Sequence, residues 1–210
     1  FSVQRSQEVM HDLKMAREEG RLSKKVPVWL DSPLAQKVSK IYTAALQHTP
    51  ESQFDFDKLN YVNRYRQSVA LTKKRRQIIL AGSGMAAGGR ILSHFATGLK
   101  NPKNTAIFVG YQAEGTMGRE LVEGAKEVTI GDTKIPVKAK IVYMRGFSAH
   151  GDNSDYEAWV KRFLTPNLKK IFLIHAEDDR AEALRKEFEE DLEVDKDKLH
   201  IPIWKEKVTI

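Results

Sequence analysis

Ile141-Val142-Tyr143-Met144-Arg145-Gly146-Phe147-Ser148-Ala149-His150-Gly151-Asp152 is the stretch that decides how this chain folds. Its first four residues are apolar without alternation, the pattern of a strand covered on both faces. Gly146 and Gly151 then bracket a polar loop in which a histidine and an aspartate stand two apart, and a helix-like segment runs from Tyr156 to Leu164. A strand that hands polar residues to a loop before a helix is the unit of an α/β sheet, where ligands sit in the crevice at the carboxyl ends of the strands. Two further runs repeat the arrangement. Ile171-Phe172-Leu173-Ile174 ends in His175, and Val26 to Leu30 ends in Asp31. Asp31, His150 and His175 are therefore the first candidates for a shared site.

Outward from this stretch the chain alternates between helix and strand. Residues 6–19 form an amphipathic helix with Val9, Met10, Leu13 and Ala16 on one face and Gly20 at its end. After the strand at Val26 to Leu30, Ser32 can cap a second helix and Pro33 suits its first turn. Leu34, Val38, Ile41, Tyr42 and Ala45 are its expected buried face. Pro50 to Asp57 reads as a loop, with a helix within Asp57 to Thr72. Strands at Gln77 to Ala81 and Thr105 to Val109 precede helices at Ile91 to Thr97 and Met117 to Gly124. Alternation from Val128 to Ile141 around Gly131-Asp132-Thr133 marks a hairpin. A strand at Lys170 to Ile174 and a helix at Arg180 to Leu192 follow. Ile201-Pro202-Ile203-Trp204 reads as an edge strand, since proline cannot donate inside a sheet. The fold class is α/β, a mainly parallel sheet flanked by helices.

The 210 residues are 41% hydrophobic and 30% charged, enough for a packed core. No apolar run approaches the roughly 20 residues that span a bilayer, so no membrane is expected. The chain opens at Phe1 without an initiator methionine, which predicts a piece of a longer protein. It has no cysteine. Thiolate metal sites are thus excluded, any metal must use His, Asp or Glu, and a cytoplasmic location fits. A net charge of +7 and a pI near 9.4 suggest a polyanionic partner, nucleic acid first. The competing reading is a solvated basic surface. Lys24-Lys25 and Lys73-Lys74-Arg75-Arg76 each adjoin a strand, where basic residues often guard solubility.

The segment Gly82-Ser83-Gly84-Met85-Ala86-Ala87-Gly88-Gly89-Arg90 joins a strand to a helix. Such a turn can present N–H groups to phosphate, yet it matches neither a dinucleotide fingerprint nor a Walker A loop, and a simple tight turn serves equally well. Arg90 could meet a phosphate or pair with a neighbouring carboxylate. Gly110 to Arg119 carries Gln112, Gly115 and Thr116 in a polar loop at a strand end, a normal place for substrate contacts. Of six histidines, none lies in a self-sufficient zinc motif. His11, His48, His94 and His200 read as surface or helix-face residues. His150 and His175 suit phosphodiester hydrolysis, in which an imidazole protonates the leaving oxygen, a carboxylate orients it, and a second imidazole can bind metal.

Taken together, several stretches resemble the β-CASP region of metallo-β-lactamase-fold nucleases, the superfamily of ribonuclease J and the mRNA 3′-end cleavage endonuclease. They are Phe1-Ser2-Val3-Gln4-Arg5-Ser6-Gln7-Glu8, Val28-Trp29-Leu30-Asp31-Ser32-Pro33-Leu34-Ala35, Gly84 to Arg90, Gly110 to Thr116, Gly146 to Asp152 and Ile174-His175-Ala176-Glu177, in the family's order. The resemblance implies a Rossmann-like β-CASP cassette over 1–145 and a return segment over 146–210 that completes the metallo-β-lactamase fold. It implies that Asp31 is the acidic residue of motif A and supports His150, the motif B general acid. His175 becomes motif C, a ligand of one of two zinc ions, its histidine typical of RNA-acting members. Substrate contacts are expected from Ser148, Arg90, Gln112, Gly115 and Thr116. Gln4 stands where glycine is common, and Gly151 where alanine is common.

The family's His-x-His-x-Asp-His zinc motif is absent, so the resemblance implies that this chain holds an incomplete site and is inactive by itself. RNA is the implied partner, and a homodimer the candidate assembly. A non-catalytic RNA-binding or scaffold relative is the alternative. A nucleotide-binding enzyme would rest on Gly82 to Gly89 alone and lacks the acid expected at the end of the next strand.

Overall fold

Helix α1 (Arg5–Glu18) opens the computed structural model, which describes residues 3–46, 54–147 and 151–209. The chain divides into two units, Phe1–Ser148 and Ala149–Ile210. In the first, α1 turns Gln7, Met10 and Arg17 inward. A buried cation needs acceptors. Arg17 finds them in the carbonyls of Val26, at 2.6 Å, and Asp57, with its guanidinium 5.1 Å from the Phe56 ring centre.

β1 (Val28–Asp31) is central in a parallel sheet between β2 (Leu59–Tyr61) and β3 (Ile78–Ala81). Val28 stands opposite Leu59 on one side and Ile78 on the other. Both Val28 and Leu30 are fully buried, as the unbroken apolar run requires. Three residues centred on an asparagine carry little strand signal, and β2 is absent from the sequence reading. It forms because β1 has a free edge and because Asn60 Nδ2 donates to the carbonyls of Val28 and Lys58, at 3.2 and 2.8 Å.

α2 (Pro33–Ala45) begins as expected, with the Ser32 hydroxyl accepting from the Ala35 amide at 3.2 Å. Ser32→Ala should cost about 1 kcal/mol, read as a lower urea midpoint at an unchanged m-value. The inward face differs from the expected one: Leu34 is 56% and Ile41 66% exposed, while Ala35, Gln36, Val38 and Ser39 are buried. Polar bonds set this rotation. Gln36 Nε2 donates to the carbonyls of Leu30 and Val62 at 3.1 and 3.0 Å, and Gln7 Nε2 to Ser39 Oγ at 2.8 Å.

α3 (Tyr65–Leu71) and α4 (Ile91–Gly98) flank β3, and β4 (Thr105–Val109) pairs in parallel with β7 (Lys140–Met144). Between them come α5 (Met117–Val122) and the antiparallel hairpin of β5 (Glu127–Ile130) and β6 (Thr133–Pro136). Gly131, first of the hairpin's two loop residues, takes φ +58°, which a type II′ turn demands. Phe95, Leu99, Phe108, Leu121, Val128 and Ile135 fill the core here, and the Phe95 and Phe108 rings meet edge to face at 5.9 Å.

The second unit contains α6 (Asn153–Lys161), β8 (Ile171–Phe172), α7 (Asp178–Asp191) and β9 (Leu199–His200), with β8 and β9 parallel. Val160, Leu173, Phe188, Leu192, Val194 and Leu199 form its core. Ile201–Trp204 is not a strand, contrary to the sequence reading. Pairing ends at His200, before Pro202, which has no amide to contribute. The unit leaves large apolar side chains in water: Trp159 is 60%, Ile174 60%, Ile203 76% and Trp204 88% exposed. Apart from the β5–β6 hairpin, every strand pair among the described residues is parallel, and no described helix is long and apolar enough to cross a membrane.

Candidate active-site edge at the carboxyl ends of the strands

Asp31 ends β1 and is fully buried. Its Oδ1 accepts from Arg90 Nη1 at 2.5 Å. Its Oδ2 accepts from Ser68 Oγ at 2.5 Å and lies 2.7 Å from His94 Nε2. Ser68 comes from α3, while Arg90 caps α4 and His94 follows one turn later on the same face, because side chains four apart align on a helix. Burial pushes the Asp31 carboxyl up. The hydrogen bonds from His94, Ser68 and Arg90, with the Arg90 charge, outweigh it and hold the group below the usual aspartate value. Arg90 also donates to the carbonyls of Val62 and Asn63, at 2.7 and 3.0 Å. The guanidinium thus binds the sheet's own strand ends.

His94 is not the ordinary helix-face residue the sequence suggested. Its side chain is 9% exposed, and its Nδ1 is buried without a hydrogen-bond partner. The available signal was the pair Arg90 and His94, both able to reach one carboxylate from one helix face. Ser68 carried no signal in a helix placed only loosely within 57–72.

The loops after β3 and β4 are laced together. Gln112, 2% exposed, donates through Nε2 to the carbonyls of Gly84, Gly110 and Tyr111, each at 3.1 Å. The Gly118 amide donates to the Met85 carbonyl at 2.9 Å. A Cβ at Gly118 would stand 1.8 Å from Gln112 Oε1, so only glycine admits this approach. In the Gly82–Gly89 turn the Ser83, Ala86 and Ile91 amides bond to Gly88, Ser83 and Gly82 carbonyls, leaving these donors to the fold rather than to a phosphate. The Thr116 hydroxyl caps α5, donating to the Ala113 carbonyl at 2.6 Å and accepting from the Arg119 amide at 3.2 Å, while the neighbouring Gly115 is exposed. At the end of β4 the Gly110 amide reaches the Met144 carbonyl of β7 at 3.4 Å. The ends of β1, β3, β4 and β7 therefore share one edge.

Arg5 joins that edge, unforeseen. The Arg5 guanidinium carbon would lie 3.4 Å from a Cβ on Gly110, and its Nε and Nη1 are buried with no hydrogen-bond partner. Only its place in the opening segment of the family motif set Arg5 apart in the sequence.

Ser148 and His150 lie outside the described residues. After them, Asp152 caps α6, accepting from the Asp155 amide at 3.1 Å while Asp155 Oδ2 accepts from the Asp152 amide at 3.0 Å. An alanine Cβ at Gly151 would come within 3.1 Å of the Asp155 Cβ, so glycine allows this capping box its tightness. His175 is exposed, in a left-handed backbone at φ +62° just beyond the buried Leu173. Among the described residues no cluster with metal-ligand spacing includes it. The one such trio, Glu157, Glu187 and Asp191, is three carboxylates, two of them already engaged, Glu187 by Asn153 Nδ2 at 2.6 Å and Glu157 by Lys161 Nζ at 3.2 Å. Among the described residues, then, no group of three such ligands forms around His175. A cavity of about 280 Å³ is lined by Leu121, Ala125, Lys126, Val137, Ile141 and Tyr143 among others, and holds none of the expected site residues.

Residues 6–121 match the Beta-Casp domain, and residues 134–202 the Zn-dependent metallo-hydrolase RNA specificity domain. The chain is 32% identical to Ribonuclease TTHA0252 of Thermus thermophilus over 89% of its length and 44% of the relative's. It is 34% identical to an RNase J-like protein of Methanocaldococcus jannaschii, covering 84% of this chain and 42% of that one. With the transcription termination factor FttA of the same organism it shares 32% identity, over 86% of this chain and 30% of the other. The chain thus spans less than half the length of these relatives.

Proposed function

Because the chain belongs to the β-CASP family of metallo-β-lactamase-fold RNA nucleases, we propose that it supplies the substrate-covering cassette and part of the active site of a zinc-dependent RNA phosphodiesterase. The observation that carries this reading is the convergence of four strand ends on one edge where Nε and Nη1 of the half-buried Arg5 have no hydrogen-bond partner. Buried cationic donors without an acceptor call for an anion, and a phosphodiester supplies one. Arg90 and Gln112 shape this edge from within. Gly115 and Thr116, with Ser148, contact the RNA strand. His150 protonates the leaving oxygen, and Asp31 acts through the strand end it anchors.

Zinc, when bound, would supply Lewis-acid activation of the attacking water. His175 is one ligand, and the resemblance places the others in a His-x-His-x-Asp-His motif of a lactamase domain whose fold residues 146–210 complete. The exposed apolar residues of the second unit suit such a role. A cytoplasmic location and a homodimer belong to the proposal on the resemblance alone.

Metal analysis of the full-length protein tests this. His175→Ala is expected to lower zinc content by one ion per chain, and an unchanged stoichiometry removes His175 from the ligand set. The 210-residue chain by itself should not cleave RNA, and zinc-dependent cleavage by it would overturn the incomplete-site reading. RNA binding without zinc or cleavage in the full-length protein would install the competing reading, a non-catalytic RNA-binding relative.

A further inference from the structure

The amino ends of the parallel strands present a second surface, opposite the edge that holds Asp31. Lys24 and Lys25 precede β1, Lys58 precedes β2, and Lys73-Lys74-Arg75-Arg76 precede β3. The register brings these approaches together: the Val28 amide bonds to the Lys58 carbonyl at 3.0 Å, and the Ile78 amide to the Pro27 carbonyl at 3.0 Å. Lys74 ties its segment to the sheet, its Nζ 4.6 Å from the Trp29 ring centre. The other parallel pair repeats the pattern, with Lys100 and Lys103 before β4, Lys138 before β7 and Lys140 at its start. All these cations are exposed, and among the described residues none has a carboxylate within ion-pair distance. Asp55 and Asp57 are the acids these approaches carry, and with Glu18 they line a cavity beside Lys24.

A second observation separates this surface from a solubility device. Lys58 and Arg76 are two of the seven described non-glycine residues with left-handed backbones, at φ +61° and +54°, a region that suits glycine and strains other residues. Guarding a strand against aggregation asks only for charge, which any neighbouring position could carry without strain. Strain kept at two cations on one surface points to the side chains themselves.

We propose that the amino-end surface of the β-CASP sheets is a second RNA-binding face, holding the phosphate backbone of single-stranded RNA away from the catalytic edge. The inference rests on the RNA-nuclease reading and extends it. Because the cations meet phosphate without reading bases, the face binds independently of sequence and is sensitive to salt.

Glycine at the strained positions gives a test in which folding and binding move apart. Lys58→Gly/Arg76→Gly relieves the backbone, so its unfolding midpoint should equal or exceed the wild type's. Anisotropy titration of the 210-residue chain with a labelled oligouridylate of about 20 nucleotides, between about 50 and 200 mM salt, reads binding. Losing two phosphate contacts should flatten the log K against log salt slope by about 1.4 and weaken binding about 25-fold near 0.1 M salt. Lys24→Gln/Lys25→Gln, which alters no strained backbone, should flatten the slope too. Lys134→Gln, a hairpin cation already paired with Glu127, should leave it nearly unchanged.

Wild-type binding with unchanged affinity and slope in both double variants overturns the proposal and leaves the catalytic reading intact. Absence of wild-type binding also overturns it, and zinc content and cleavage by the full-length protein then judge the catalytic reading separately. Variants that keep oligouridylate binding but lose polyglutamate binding would reassign the face to an acidic protein and overturn the RNA proposal.

Discussion

Asp31→Ala is expected to lower the unfolding free energy by about 3–5 kcal/mol, the usual consequence of removing one partner from a buried ion pair. The carboxylate has no exposed surface, and the Arg90 side chain is only 15% exposed, so water cannot replace what is lost. Ser68 and His94 lose their acceptor as well, and with them goes the tie between β1, α3 and α4. Urea unfolding reads the effect, and a loss under about 1 kcal/mol would show the pair to be solvated. Because the folded-state pKa of Asp31 lies below its unfolded value, the unfolded chain takes up the proton first as pH falls. Its contribution is complete above about pH 4 and drains away as pH drops through the folded value. Asp31→Asn removes that component, so the gap in stability between wild type and variant should narrow as the medium is acidified toward and below the folded value. A gap independent of acidity would mean that the carboxylate titrates normally.

His150→Ala should slow RNA cleavage by the full-length protein about 10²–10⁴-fold, the contribution typical of a positioned general acid. Other imidazoles are poor substitutes. His94 is buried against Asp31 at 2.7 Å, His200 lies 3.1 Å from Glu206, and His11 sits on an exposed face of α1, 3.6 Å from Asp12. His175, exposed three residues beyond β8, is the proposed zinc ligand. A general acid acts in the chemical step, so oligouridylate affinity should stay within about twofold of wild type while kcat falls and the basic limb of the pH–rate profile disappears. A near wild-type rate would take His150 out of the acid role.

The local grammar of the chain was readable where one residue type dictates one conformation. Thr105–Val109 is a strand at the expected bounds, Gly131 makes the hairpin turn, and Ser32 with Pro33 starts α2. What escaped depends on residues far apart in sequence. β2 exists because β1 offers it an edge. The rotation of α2 that strands Leu34 and Ile41 in water follows from Gln36 satisfying carbonyls 6 and 26 residues away. β8 stops at Phe172 rather than Ile174 because its partner β9 is two residues long. Asp31 was legible as a strand-end acid, whereas His94, 63 residues on, could be joined to it only by the fold.

The chain carries three tryptophans, and their settings make them separate optical probes. Trp29 is half-buried in β1 beneath Lys74, so its emission answers to events at the basic face. Trp159 and Trp204 stand 60% and 88% exposed and emit from an aqueous environment. Covering the second unit by any apolar surface would shift that emission to the blue, whereas filling the basic face with RNA would act on Trp29 alone. The two events can be followed in one cuvette, without a label.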